Sequence, residues 1–128
     1  MSVLNARIIR DSSDIDLAIT GAVEEGEDLR EVILRPADFR DSPVAVKLTA
    51  LFYSIQDGVT LLLYWEGEDD HTLMMPIAGR GILDLGRFGG LENPRVPGFT
   101  GNVLLVAERH SPGKKHFSLS FEFSKQRT

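Results

Sequence analysis

The sequence has no cysteine and no long apolar run, and each absence excludes a class of protein. Without cysteine there are no disulfides, no thiolate metal ligands and no cysteine nucleophile. The longest apolar stretch, residues 59–65, is far shorter than the ~20 residues that a membrane-spanning helix needs. Arg7, Arg10 and Asp11 interrupt the N-terminal region before a signal-peptide core could form. We therefore expect a protein made in the cytoplasm that has no membrane partner.

Positive charge is also scarce, because 14 Lys and Arg residues face 19 Asp and Glu residues, for a net charge of -5. Nucleic-acid binding normally needs a basic surface, so we expect no nucleic-acid partner. The acids concentrate in residues 11–31 and the bases in residues 109–128. Such asymmetry can guide docking onto a charged partner, which makes Glu24, Glu25 and Glu27 candidate interface residues. A solvated acidic turn is the alternative interpretation.

Strand periodicity dominates the chain. Apolar residues alternate with polar ones over residues 117–124 and again over residues 15–19, as in strands with one buried face. Residues 44–52 show the same alternation, which predicts that Phe52 faces the core. The nearly continuous apolar runs at residues 59–65 and 102–107 predict central strands covered on both faces, with Trp65 in the core.

Turn residues separate these strands. Residues 56–58 (Gln-Asp-Gly) predict a hairpin, and the acidic residues 66–70 predict another that leads into residues 71–77. Pro76 cannot donate a hydrogen bond to a neighbouring strand, so its strand should lie at a sheet edge or be bulged at that position. Residues 30–34 are interpreted as a strand that is followed by a tight turn at residues 36–39.

About seven to nine strands with no long helical pattern predict an all-β fold, an antiparallel β-sandwich with a jelly-roll-like arrangement. Its length of 128 residues suits a single domain spanning residues 1–128, with residues 1–14 as a candidate N-terminal arm.

Residues 79–101 form the longest stretch of weak periodicity and are rich in glycine, which predicts one long glycine-rich loop. Irregular loops of this length inside compact domains are usually functional. The segment lacks the lysine of a phosphate-binding loop and the G-x-G-x-x-G of a dinucleotide site. We therefore interpret it as a contact element for another chain. Its candidate interface residues are Phe88, Gly89, Gly90, Asn93, Pro94 and Phe99.

No group of residues makes a strong case for catalysis or metal binding. Asp69, Asp70 and His71 come from one short turn, which cannot complete a coordination shell. Neighbouring carboxylates such as Glu66 and Glu68 lack the distinct environments that separate an acid from a base. His110 and Ser111 are adjacent on a turn, and no nucleophile elbow occurs. The sequence thus predicts a non-enzyme with no catalytic, metal-binding or cofactor-binding residues and no cofactor.

An ordered series of short motifs resembles a known family. The series is Gly79, Gly81, Asp84-Leu85, Phe88-Gly89-Gly90-Leu91, Asn93-Pro94, Thr100-Gly101-Asn102-Val103-Leu104-Leu105 and His110-Ser111-Pro112-Gly113, followed by the strand of alternating phenylalanines. It is similar to a pattern in small virion proteins of tailed bacteriophages, and Leu-Tyr-Trp-Glu at residues 63–66 resembles the strand that precedes that pattern. The likeness covers roughly residues 44–125.

The resemblance implies a structural protein of the phage particle, most naturally a decoration (cement) protein on the capsid exterior. Its implied partners are the major capsid protein and neighbouring copies of itself in a homo-oligomer, with a trimer as one option. Its implied location is the virion, after synthesis in the bacterial cytoplasm. Two alternatives stay open at this point: a tail or head-to-tail connector component, and a carbohydrate-binding β-sandwich module.

Overall fold

Alternating apolar residues produce ten strands in the computed structural model, which describes residues 3–25, 28–94 and 98–126. The strands are β1 (Val3–Asp11), β2 (Asp14–Val23), β3 (Leu29–Leu34), β4 (Ala45–Ile55), β5 (Val59–Gly67), β6 (Thr72–Ile77), β7 (Arg80–Asp84), β8 (Leu91–Glu92), β9 (Phe99–Arg109) and β10 (Lys115–Gln126). Single 3₁₀ turns occur at Pro36–Asp38 and Gly86–Phe88. No α-helix occurs within these ranges.

The strands form two antiparallel sheets that pack face to face. The first sheet has the order β1-β2-β10-β4-β7, and β8 also pairs with β4. The second has the order β3-β9-β5-β6. The prediction of an all-β antiparallel sandwich is therefore confirmed.

The core lies between the two sheets and is built from the inward positions of their strands. Phe121 and Phe123 of β10 are buried and stack with ring centroids 5.5 Å apart. From the other sheet, Leu61, Leu63 and Trp65 of β5 are buried as predicted for Trp65. Each such side chain contributes roughly 1.5–3 kcal/mol through removal of its apolar surface from water.

Several predictions from the turn residues hold. Pro76 lies on β6, which is an edge strand, and the acidic turn joins β5 to β6 as a hairpin. The predicted strand at residues 30–34 is β3, and the tight turn after it is the 3₁₀ turn Pro36–Asp38. Within the candidate arm, residues 3–11 pair with β2 and form the edge strand β1.

Two predictions about strand environment are wrong. The Asp57-Gly58 turn does not close a hairpin, because β4 belongs to one sheet and β5 to the other. The turn instead carries the chain between the sheets, a difference that local turn residues do not encode. The run at residues 59–65 is buried on its inward face only, and alternate residues on its outer face are half-buried.

The inward placement of Phe52 is also wrong, because a bulge reverses the alternation in β4. Glu122 of β10 lies opposite Ala50, whereas the next residue, Phe123, lies opposite Leu48, so Thr49 is extra on β4. One extra residue exchanges the two faces of a strand beyond that point. Leu51 therefore turns inward, and the side chain of Phe52 is 51% exposed.

Candidate functional site

The glycine-rich segment carries more regular structure than a single loop. It includes β7, the 3₁₀ turn Gly86–Phe88, β8 and the start of β9. β7 and β8 pair with β4 in succession along one edge of the first sheet, and β9 belongs to the second sheet. The segment therefore follows the edge of one sheet and then crosses to the other.

The turn between β7 and β8 presents Phe88 to solvent. The N–H groups of Phe88 and Gly90 both donate to the carbonyl oxygen of Leu85, at 3.0 and 2.8 Å, and that of Gly89 donates to Gly86 at 3.1 Å. Gly89 and Gly90 have φ values of 86° and 81°, a region that favours glycine. The side chain of Phe88 is 86% exposed. A closed, hydrogen-bonded turn thus holds an aromatic side chain away from the core.

Gly90 is required for a second reason, which is close packing. A Cβ atom at Gly90 would lie 2.6 Å from Cγ of Lys47 and 3.0 Å from the carbonyl oxygen of Leu48. A Cβ at Gly89 would meet nothing within 4 Å. The backbone at Gly90 therefore lies directly on β4, whereas Gly89 borders open space.

The remaining candidates in this segment are placed differently from Phe88. Asn93 is only 6% exposed, so its side chain lies inside the folded chain and not on its surface. Phe99 is partly buried against the core, and Gly67 lies opposite it on β5. Pro94 is half-buried. Residues 95–97 lie outside the described part of the chain.

The acidic and basic segments meet within the same chain. Glu24, after β2, lies 3.6 Å from Nζ of Lys114, just before β10. Glu25 is exposed, and Glu27 falls outside the described residues. At the other end of these strands, Nζ of Lys125 donates to Asp11. Because β2 and β10 are neighbours, the fold brings the ends of the acidic and basic segments together in these two ion pairs.

An apolar surface that sequence reasoning missed lies on the outer face of the first sheet. Phe52 of β4 lies directly opposite Ile82 of β7, and both side chains are exposed, at 51% and 66%. Cross-strand neighbours on one face contact each other, so the two side chains form a continuous apolar patch. We call Phe52, Arg80, Ile82 and Asp84 the β7 surface. The weak periodicity of residues 79–101 gave no signal for this surface, and the bulge in β4 was needed to expose Phe52.

Glu66 and His71, which were considered for catalysis and metal binding, have hydrogen-bond partners within the fold. Oε1 of Glu66 accepts hydrogen bonds from Oγ1 of Thr100 and Nδ2 of Asn102, both at 2.9 Å. Nδ1 of His71 accepts from the N–H of Gly67 at 3.1 Å. Across the described ranges, no three His, Asp or Glu side chains are grouped to hold a metal ion. Nor does any helix there have the length and apolar character to cross a membrane.

The chain matches no protein-family model, no curated protein and no solved structure. Two exposed features described above, the Phe88 turn and the β7 surface, are candidate contact sites, and the sequence motifs resemble those of one family.

Proposed function

We propose that this protein is a non-enzymatic structural component of a bacteriophage particle, a decoration protein that binds the capsid exterior through the turn that carries Phe88. The motif series in residues 79–113 supports this proposal, because its resemblance is to virion proteins of this kind. Its partners are the major capsid protein and neighbouring copies of itself. The virion is its final location.

The observation that carries the proposal is the exposure of Phe88. Of the large apolar side chains that the structure describes as exposed, Phe88 is the most accessible, at 86%. Aromatic side chains are typical anchors of protein interfaces, where they fill pockets of the partner. The turn is already closed by three backbone hydrogen bonds, so little conformational entropy is lost when Phe88 docks.

Phe88→Ala tests this assignment. Phe88 has few intramolecular contacts to lose, so we expect the free energy of unfolding to change by less than ~0.5 kcal/mol. We expect affinity for phage heads to fall by about tenfold or more, as for truncation of an interface anchor. The measurements are thermal melting and co-sedimentation with heads of the phage whose genome encodes the chain.

Phe99→Ala is the matched control, because it removes the same side chain from the same segment. Phe99 packs against the core, so its loss should cost about 1–3 kcal/mol of stability while the folded fraction still binds heads. Full head binding by Phe88→Ala would contradict the docking role of the turn. Electron microscopy that located the wild-type chain in the tail or connector would instead support the second structural role, and binding to glycans alone would support the carbohydrate module.

A further inference from the structure

The outer edge of β7 has unpaired backbone groups. In the described part of the chain, β4 is the only strand paired with β7. The N–H of Leu85 donates to Thr49 at 2.8 Å, and the N–H of Ile55 donates to Gly79 at 2.7 Å. Backbone hydrogen bonds to one neighbour involve every second residue of an antiparallel strand. Because Gly79 and Leu85 are bonded to the chain of β4, the backbone groups of the odd-numbered residues between them also face β4. The N–H and C=O groups of Arg80, Ile82 and Asp84 therefore point away from the sheet.

The free edge of β7 is short and carries two charged residues, but it lacks the bulge, the proline and the lysine that protect other sheet edges. The other edge strands are interrupted: β1 has a register shift after Ile8, β3 one after Val32, and β6 contains Pro76 beside a register shift. Bulges and proline are common protections of exposed sheet edges. The pairing of β4 with β7 shows no such shift, and β7 contains neither proline nor lysine. Its free edge is thus a regular template for another strand.

The charges on β7 are complementary to those of a second, antiparallel copy of the same strand. Arg80, Ile82 and Asp84 are exposed on one face. If two copies pair about Ile82, Ile82 lies opposite its counterpart, and Arg80 of each copy lies opposite Asp84 of the other. The same register brings together the residues whose N–H and C=O groups are free. In the described structure neither Arg80 nor Asp84 is held in an intrachain ion pair.

We propose that two copies of this chain form a symmetric dimer by antiparallel pairing of their β7 edges. Backbone hydrogen bonds join the strands, reciprocal Arg80–Asp84 pairs set the register, and the patch of Phe52 and Ile82 becomes continuous across the two-fold axis. A contact in which one surface meets itself closes after two copies. The first sheets of the two copies become one continuous sheet.

The dimer is expected to be weak, because a five-residue edge buries less surface than a stable dimer interface. Its formation needs no capsid, so it can be tested apart from the proposed decoration role. Sedimentation velocity of the full chain at protein concentrations up to about 1 mM can detect a dimer whose dissociation constant is far higher than that of a stable dimer. We expect a reversible monomer–dimer equilibrium at low salt that weakens as salt rises, since the ion pairs are exposed.

Charge exchange tests the register. Arg80→Asp and Asp84→Arg each place like charges opposite one another twice per dimer, and we expect either change to raise the dimer dissociation constant about tenfold or more. The double exchange of Arg80→Asp with Asp84→Arg restores complementarity and should recover dimerisation. Arg7→Asp is the control, because it makes the same charge change on β1 at the opposite edge of the sheet.

A second variant tests the edge itself. Ile82→Lys places a lysine on the two-fold axis and should abolish dimerisation, with thermal melting and circular dichroism unchanged because the side chain is exposed. A wild-type chain that stays monomeric up to about 1 mM would overturn the proposal. So would dimers that survive both single charge exchanges, or a double exchange that fails to restore them. Loss of head binding with dimerisation intact would bear only on the proposed function.

Discussion

At the scale of single residues, one network of polar contacts joins the end of β1 to the end of β10. Nζ of Lys125 is bound to Oδ1 of Asp11 and donates to the carbonyl oxygen of Arg40 at 2.8 Å. The N–H of Arg40 in turn donates to Oδ2 of Asp11 at 2.9 Å. The Lys125 side chain is only 2% exposed, so its charged ammonium group is stabilised by these two oxygen atoms and not by water. The three residues connect β1, β10 and the chain before β4.

This contact predicts acid sensitivity. The hydrogen bond from Lys125 and then the N–H of Arg40 lower the pKa of Asp11 below its ordinary value. As pH falls, Asp11 is therefore protonated at a higher pH in the unfolded chain than in the folded chain. The stabilisation that this contact provides is present above an ordinary aspartate pKa of about 4, and it is lost as pH falls through the folded-state pKa. We expect Asp11→Asn to be less stable than the wild type at pH 7 and the difference to shrink in acid.

Denaturant unfolding of both proteins from neutral pH down to about pH 3 measures this difference. Asp69→Asn is the matched control, because it removes an exposed carboxylate from the turn between β5 and β6. A stability difference between wild type and Asp11→Asn that stayed constant over the whole pH range would show that the contact does not lower the pKa of Asp11.

At the scale of elements, the bulge in β4 determines which residues reach the surface. Oγ1 of Thr49 lies 2.9 Å from the carbonyl oxygen of Glu122 and 3.0 Å from its Oε1. Side-chain bonds of this kind satisfy polar groups that a bulge removes from the regular ladder. The exposed patch of Phe52 and Ile82 exists because the bulge turns the second half of β4 over.

Thr49→Val tests the contribution of this hydroxyl. The variant keeps the size and β-branching of threonine but loses the hydrogen bond to Glu122, so we expect a loss of about 1 kcal/mol in the free energy of unfolding. Thr20→Val, at an exposed position of β2, should change it by less than ~0.5 kcal/mol. Chemical denaturation of the two variants measures the difference. Equal stability of the two would mean that the bulge does not need the Thr49 hydroxyl.

At the scale of the whole molecule, β10 is the strand on which the first sheet depends. It pairs with β2 along one side and with β4 along the other, and its four inward phenylalanine and leucine side chains are buried. β1, by contrast, pairs with β2 alone, and most of its residues are exposed. The last strand in the sequence is thus central in space, and the first lies at an edge.

Truncation distinguishes the two strands. A chain that ends at Lys114 lacks β10 and should be unable to fold, because β2 and β4 lose their common neighbour and the core loses Phe121 and Phe123. A chain that begins at Arg10 keeps Asp11 and should remain folded with reduced stability. Circular dichroism and thermal melting measure both. A cooperative melt of the chain that lacks β10 would contradict the central role of that strand.

Much of the fold could be predicted from the sequence, since strand alternation depends on local spacing. The alternating residues of β2 and β10, the proline on edge strand β6 and the turn after β3 were correctly interpreted. The site was less predictable. Phe88 is exposed, whereas Asn93 of the same segment is buried, and both lie in short irregular stretches with no periodicity that would indicate a face.

The sequence by itself determined where most strands and turns occur, because alternation and turn-forming residues act within a few positions along the chain, although β7 and β8 lie in a segment that was predicted to be a loop. Only the tertiary structure decided how the strands are distributed, since the Asp57-Gly58 turn serves equally well within a sheet or between two sheets. Tertiary structure also placed the acidic segment beside the basic one and left the outer edge of β7 without a neighbour among the described strands. Strand partners and bulges depend on packing between residues that are distant in sequence, and local residue patterns carry little information about that packing.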